Sequence, residues 1–448
     1  MDTLLSNAQN ALAEVESYSQ PEIDALIKAL GESVHHHAES LARLALDETH
    51  MGVYEHKVLK NQRKAFLIHE HLKNKPSVGV IERNPERGIT RIAKPVGLIG
   101  ALTPVTNPTT TPLGNAMIAL KGRNAIIIAP HPSAYRTTSQ TVHLMRQAIA
   151  ECGGPLDLIQ ILPPPPTREA TLNLMRSVDV IVATGGASMV KAAYSSGKPA
   201  YGVGPGNVQV ILDQKIDHSE TARMVIEGRC FDHGIICSCE QSVHYPLEEE
   251  DKVWTAFEAA GGILIKDPDQ IATLRETLFP EGSMNHELIG QSVQRLGEAA
   301  GLKISPEKKA LVISGVKSPE DPLRKEKMFP VLTLFSYQDI ETAIGEALTN
   351  LKLEGIGHSC VVHSESEAFI EQIALALPVS RIIVNQSSPS AAGGSFHNAL
   401  TPSTTLGCGS WGNNSLSENL DYHHLLNIEH IAYPLHENGL PCPPWGAP

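Results

Sequence analysis

Residues 178–195 read Val-Asp-Val-Ile-Val-Ala-Thr-Gly-Gly-Ala-Ser-Met-Val-Lys-Ala-Ala-Tyr-Ser. The first six form a short aliphatic run of the kind buried on both faces of a parallel sheet. Gly185 and Gly186 end that run, and residues 187–195 continue with helix formers. A strand that turns through glycines straight into a helix leaves main-chain N–H groups and the positive end of the helix dipole facing the strand's carboxyl end. The same alternation recurs on both sides. Residues 124–129 (NAIIIA), 157–162 (DLIQIL) and 208–212 (VQVIL) are further aliphatic runs, with helical stretches at 137–152 and 168–177 between them. Repeated strand, helix, strand of this kind predicts an α/β protein built on a doubly wound parallel sheet.

A second α/β region follows. It has a helix near 219–230, strands near 241–245 and 263–266, helices at 270–278 and 286–300, and strands at 309–313 and 329–335. Before the first sheet, apolar residues from Ile23 to Leu46 recur at helical spacing. His35, His36 and His37 interrupt that segment; three adjacent helical residues point about 100° apart, so they read as a solvated face rather than a metal site. The run Pro163 to Pro166 belongs in a loop. Residues 402–414 and the closing 440–448 read as loop and tail.

Composition limits the function. The chain has 448 residues, 36 Lys+Arg against 49 Asp+Glu and a net charge of −13, which excludes a generic basic nucleic-acid binder. Hydrophobic residues make up 42% and charged ones 19%, enough apolar content for a large core and too much for global disorder. Seven cysteines, an odd number, fit free thiols in a reducing compartment. The start of the chain has no basic segment leading into an apolar one, and no apolar run is long enough to span a bilayer. A cytoplasmic protein without a membrane partner is expected.

Four constellations offer chemistry. The turn Thr184 to Ser188 reads either as a pyrophosphate site or as a plain chain reversal. Gly202-Val203-Gly204-Pro205-Gly206-Asn207 reads either as a place where main chain approaches a ligand or as a loose loop. In Arg229 to Glu240, Cys237 follows a glycine and an apolar pair, which suits a thiolate nucleophile presented from a loop; buried inert thiol is the other reading. Cys230, His233, Cys237 and Cys239 supply four zinc-type ligands, but their spacing matches no usual zinc pattern, and no metal is expected. In Pro104-Val105-Thr106-Asn107-Pro108, Asn107 is a rigidly held amide or simple turn chemistry.

Together these segments resemble a known family, the CoA-acylating aldehyde dehydrogenases, in particular the aldehyde dehydrogenase half of bifunctional aldehyde-alcohol dehydrogenases. The resemblance runs through GLIGALTPVTNPT (97–109), KGRNAIIIAPHPSA (121–134), VATGGASMVKAAYSSGKPAYGVGPGN (182–207), FDHGIICSCEQSV (231–243), EKMFPVL (326–332), GIGHSC (355–360) and TLGCGSWGNNSLSEN (405–419). No alcohol dehydrogenase half is expected.

The resemblance implies an aldehyde dehydrogenase-like fold: a Rossmann-type dinucleotide-binding domain at 1–213, a catalytic domain at 214–400, and a C-terminal return at 401–448. A small β extension for oligomerisation takes in 84–98, and 88–94 and 427–433 are the candidate strands. It implies a homodimer or homotetramer. Cys237 would attack a short aldehyde, Asn107 and the Cys237 N–H would hold the oxyanion, and His358 is a candidate for proton transfer or a satisfied loop histidine. Thr103, Pro104, His131, Gly185, Gly186, Ser188 and Gly204 would line the NAD or NADP site, and Glu326 would meet the nicotinamide ribose.

Hydrolytic members of the superfamily carry a Glu in the glycine-rich segment. GVGPGN has no carboxylate, so the thioester would persist until CoA attacks, although Glu240 remains a possible base. Sulfoacetaldehyde oxidation with CoA and non-acylating oxidation are the alternatives; a sulfonate would need donors such as Ser387, Ser388, Ser390 or Arg229. Two departures from the family pattern are Pro205, expected to reshape the CoA or substrate wall, and Arg136, which would accept a 2′-phosphate and keeps NADP open.

Overall fold

The computed structural model describes residues 1–316 and 318–434; Cys442 and the proline-rich end lie outside them. Two strands, β1 (Gly79–Asn84) and β2 (Ile89–Pro95), form an antiparallel hairpin. A five-stranded sheet follows: β3 (Leu98–Leu102), β4 (Ala125–Ala129), β5 (Ile159–Ile161), β6 (Val180–Thr184) and β7 (Ala200–Val203). Its order is β5-β4-β3-β6-β7 and every pairing is parallel. The chain leaves β3 in one direction and returns to β6 on its other side, so the switch point lies between β3 and β6. That is where open α/β sheets bind ligands, at the strands' carboxyl ends.

The second sheet has seven parallel strands: β8 (Val208–Leu212), β9 (Glu240–Pro246), β10 (Gly262–Ile265), β11 (Ala310–Ser314), β12 (Val331–Tyr337), β13 (Gly357–His363) and β14 (Val379–Val384). Their order is β10-β11-β12-β9-β8-β13-β14. β8 hydrogen bonds to β9 and β13, so the change from one sheet to the other falls at 204–207 and not at 213. The reason is length: four residues after β7 suffice to start a strand in the next sheet, and VQVIL is apolar enough to lie at its centre. β15 (Leu426–Ala432) returns to pair antiparallel with β2, making a three-stranded sheet of the 88–94 and 427–433 candidates plus β1.

Helix Thr110–Lys121 lies against the five-stranded sheet with all its residues buried. A helix apolar on every side has no amphipathic period to read. The polar helix Tyr54–Leu72 packs on helices Gln20–His36, Ala38–Thr49 and Thr110–Lys121 and reaches the turn Phe231–Gly234. The predicted helix 286–300 is shorter, Val293–Ala299, because Gly290 takes a left-handed φ of 69° that brings its main chain against Met51. His35, His36 and His37 are exposed, as a solvated face requires.

Segment 403–419 joins the sheets. The Thr405 hydroxyl lies 3.0 Å from that of Thr184 at the end of β6, while the Gly407 carbonyl accepts from Arg381 of β14 at 2.7 Å. No helix among the described residues is long and apolar enough to cross a membrane.

Candidate active site

The end of β7 runs through 204–207 into the start of β8, so the carboxyl ends of the first sheet face the amino ends of the second. On the first side, Thr103 leaves β3 and donates its N–H and hydroxyl to the Ala129 carbonyl at 3.1 and 3.4 Å, fastening β3 to β4. Pro104 follows. His131 leaves β4; its Nδ1 accepts from the Ser133 N–H at 3.1 Å, and burial lowers its pKa. Gly185 and Gly186 end β6 and open helix Ala187–Tyr194, with Ser188 exposed in its first turn. A Cβ on Gly186 would meet nothing within 4 Å, which leaves this helix N-terminus open to a ligand's close approach.

The next helix N-terminus differs. In helix Tyr135–Glu151 the Glu48 carboxylate accepts from the N–H groups of Arg136 and Thr137, both at 2.7 Å, and from the Thr137 hydroxyl at 2.6 Å. Arg136 is exposed and makes no ion pair among the described residues, but an anion beside its main chain opposes a 2′-phosphate there.

On the second side, the residues before Cys237 are held in an unusual conformation. Asp232, His233 and Gly234 have φ of 51°, 54° and 77°; left-handed backbone costs roughly 1 kcal/mol at each non-glycine residue. Buried hydrogen bonds offset that cost. Asp232 accepts from the Val53 N–H at 2.8 Å, from Lys57 at 3.1 Å and from Lys60 at 2.5 Å, and its own N–H donates to His56 Nδ1 at 2.9 Å. Burial alone would raise the Asp232 pKa, but Lys60 and Lys57 outweigh it and hold the carboxyl at about 2.

Lys60 also donates to Asn107 Oδ1 at 2.8 Å. That bond fixes the amide oxygen on Lys60, and the amide NH2 donates to the Thr106 hydroxyl at 3.4 Å. Asn107 and Cys237 line one cavity of about 460 Å3, with Thr110, Phe231, Leu67 and Leu406 among its apolar and small walls.

Cys237 is a free, half-buried thiol. Burial and the neighbouring Glu326 push it up to about 12. A Cβ on Gly206 would fall 1.9 Å from the Cys237 carbonyl, so the glycine-rich segment lies directly on the nucleophile's main chain. The Gly206 N–H donates to Glu326 Oε1 at 3.3 Å, and burial with Glu354 pushes Glu326 up to about 8. The Asn207 amide donates to the carbonyls of Arg324, Asn350 and Glu354 at 2.9, 3.1 and 3.2 Å, tying this segment to the one carrying Glu326. At Gly204 a Cβ would meet open space.

Several expected residues lie elsewhere. His358 is in β13, not a loop; its ring is fully buried, neither nitrogen has a partner, and it does not line the Cys237 cavity. Burial and Arg381 push its pKa well down. The Glu240 carboxylate turns away toward Gly228 and accepts from the Ser388 N–H at 2.7 Å, so it is not placed to activate water at Cys237. Arg229 is buried, donating to the carbonyls of Glu240 (2.8 Å) and Gly234, and braces the nucleophile loop instead of facing a sulfonate. Cys230 donates to Lys309, Cys239 faces the Phe231 carbonyl and His233 bonds to Gly290, so the four zinc-type side chains do not converge. Ser387 and Ser390 line the cavity; Ser388 does not.

The Lys60–Asp232 pair and Asn207 were not singled out from sequence. The available signal was the spacing of Lys57, Lys60 and Lys64 along one helix, which compact a positive stripe onto the face that meets the nucleophile loop.

This arrangement defines a class: a cleft lined by a free cysteine between a dinucleotide-type sheet and a second parallel sheet. Residues 1–270 match the aldehyde dehydrogenase family. A succinate-semialdehyde dehydrogenase (acetylating) from Clostridium kluyveri is 48% identical over 96% of this chain and 95% of its own. A sulfoacetaldehyde dehydrogenase from Acholeplasma sp. is 40% identical over 96% of this chain and 90% of its own. The crystal structure of an acetylating aldehyde dehydrogenase from Geobacillus thermoglucosidasius superposes with a TM-score of 0.94 at 36% identity, covering 97% of this chain and 96% of that one. The chain belongs to the aldehyde dehydrogenase family.

Proposed function

We infer that the chain oxidises a short aldehyde with NAD or NADP and transfers the acyl group to CoA. The observation that carries this reading is the cavity shared by Cys237 and Asn107, closed on the main-chain side by a glycine-rich segment without a carboxylate. The Cys237 thiol gives up its proton to solvent as its sulfur attacks the aldehyde carbon, and the Asn107 amide, turning its NH2 from Thr106, stabilises the oxyanion of the thiohemiacetal. The bound nicotinamide supplies the hydride acceptor. The open glycine turn after β6, with Thr103, Pro104, His131, Ser188 and Gly204, fits the dinucleotide, and Glu326 fits a ribose hydroxyl. The acyl group then remains on Cys237 as a thioester. Glu240 is turned away, Glu227 of the lining is paired with Arg223, and Glu326 accepts from the Gly206 N–H, so the reading has none of them activating water, which favours attack by the CoA thiol.

The acetylating enzymes among the relatives support the CoA step, and the Acholeplasma enzyme supports sulfoacetaldehyde as a second substrate reading. Assignment of 1–203 to dinucleotide binding and of 204–400 to chemistry follows the two sheets. A homodimer or homotetramer joined through the β1-β2-β15 sheet, whose strand β15 is largely exposed on its free edge, and a cytoplasmic site that keeps Cys237 reduced complete the proposal.

The test is NAD(P)H formation that requires both aldehyde and CoA, with acyl-CoA identified by mass. Cys237→Ala is expected to lose at least about a thousandfold in rate; retained activity, or full turnover without CoA, would overturn the reading.

A further inference from the structure

Helix Tyr54–Leu72 forms one wall of the aldehyde cavity and places Lys60, Arg63, Lys64 and Leu67 along it. Lys60 meets the Asp232 carboxylate and the Asn107 amide oxygen, so its charge is paired. Lys64, one turn further, has no such counter-charge among the described residues. Its Nζ donates to the main-chain carbonyls of Gly393 at 2.6 Å and Ser403 at 3.4 Å, and no carboxylate among the described residues lies within 4.0 Å. An ammonium carries three donors, so one is left for whatever enters the cavity. The site is shaped for this cation: a Cβ on Gly393 would come within 2.7 Å of the Lys64 Nζ. Burial brings the ammonium down to about 8, which is the mark of a charge held without a counter-ion. Arg63 lines the same cavity and also has no ion pair among the described residues, whereas Arg223 at the mouth is neutralised by Glu220 and Glu227. Ser387, Ser390 and Ser395 add hydroxyls to the lining.

We propose that Lys64, assisted by Arg63, is the specificity-determining cation of this cavity, and that the substrate is a short aldehyde carrying an anion, carboxylate or sulfonate, at its far end. The inference rests on the reading of Cys237 and Asn107 as the reaction centre. It fits the geometry. Lys60, which touches the Asn107 amide, and Lys64 stand one turn apart on the same cavity wall, a rise of about 6 Å, which is on the scale of a short aldehyde with one or two methylene groups at roughly 1.5 Å per bond. The chain's net charge of −13 repels such a substrate at long range, so a local, desolvated cation is what recognition requires.

The experiment compares butanal, 4-oxobutanoate and 2-oxoethanesulfonate as substrates of the purified full chain with CoA and NAD+ or NADP+. One of the two anions is expected to exceed butanal at least tenfold in kcat/KM, and which one it is separates carboxylate from sulfonate. Lys64→Met is expected to reduce the anion-to-butanal ratio tenfold or more, mainly through KM, and Lys64→Arg to restore part of it. A ratio near or below one in the wild type, or equal losses for all three aldehydes in Lys64→Met, overturns the inference while leaving CoA-dependent oxidation intact. Should Lys64→Met not fold, competitive inhibition of butanal turnover by glutarate in the wild type is the deciding measurement, and its absence overturns the inference. No CoA-dependent turnover of any aldehyde overturns the underlying reading and this one with it.

Discussion

The two parallel sheets meet in the cleft with opposite polarity. The five-stranded sheet presents carboxyl ends, and its contribution is main chain: a glycine turn, a helix N-terminus and the residues that leave β3 and β4. The seven-stranded sheet presents amino ends, where no general rule provides a binding site. Its contribution comes from segments that precede strands: Gly204–Asn207 before β8, Cys237 before β9, Glu326 before β12. Such segments lack a helix dipole to organise them, and here buried polar bonds do that work: Lys57, Lys60 and Asp232 for the nucleophile loop, Asn207 for the glycine-rich segment. One side is open and ready for a ligand by geometry alone; the other is held by a network that must stay intact.

That contrast predicts where substitutions hurt. Asn107→Ala, which removes the proposed oxyanion donor, is expected to lower kcat by about 100- to 1,000-fold with the KM for the dinucleotide unchanged in steady-state kinetics. Asn107 follows β3 of the five-stranded sheet but is bonded to Lys60 of the opposite network, and equal damage to dinucleotide binding would place it with the first sheet alone. Asp232→Asn leaves two ammonium groups facing a neutral amide, and breaking a buried pair in this way costs about 3–5 kcal/mol, measurable by denaturant unfolding. In the wild type the same carboxyl, held at about 2, adds stability that is fully present above the unfolded value of about 3.9 and fades as pH falls toward 2; Asp232→Asn should flatten the acid limb of the stability curve.

A pair of glycines sharpens the comparison. Gly206→Ala drives a methyl into the Cys237 carbonyl and is expected to lower kcat about 100-fold by moving the nucleophile. Gly186→Ala meets no protein atom, so unfolding free energy should stay within about 0.5 kcal/mol while the KM for the dinucleotide rises. Smallest is the effect of Glu48. The wild type is expected to prefer NAD+ over NADP+, and Glu48→Gln to narrow that preference roughly two- to fivefold in kcat/KM, the size of one charge at a helix end.

Legibility in the sequence did not follow the line between the sheets, since β8 to β12 of the second were as readable as β4 and β6 of the first. β4, β6 and the glycine turn were readable because a buried parallel strand is an unbroken aliphatic run and a glycine turn is local. Helix Thr110–Lys121 was hidden by being buried on all sides, and β13 and β14 by the polar residues inside them, such as His358, Ser359 and Arg381. Cys237 and Asn107 could be named from the family resemblance. What the sequence did not contain in readable form was their connection, since Lys60 and Asp232 are 172 positions apart and only folding brings them together. His358 and Glu240 show the converse: nearness in a motif did not put either side chain into the cavity.

The glycine-rich segment has one more consequence. Gly206 admits no side chain at all, because the Cys237 carbonyl occupies the space, whereas Gly204 two residues away faces open room. A side chain at 204 is therefore sterically available to this backbone and one at 206 is not, so the same architecture that fixes the nucleophile's main chain leaves room two residues away for a group that would change what the site does next.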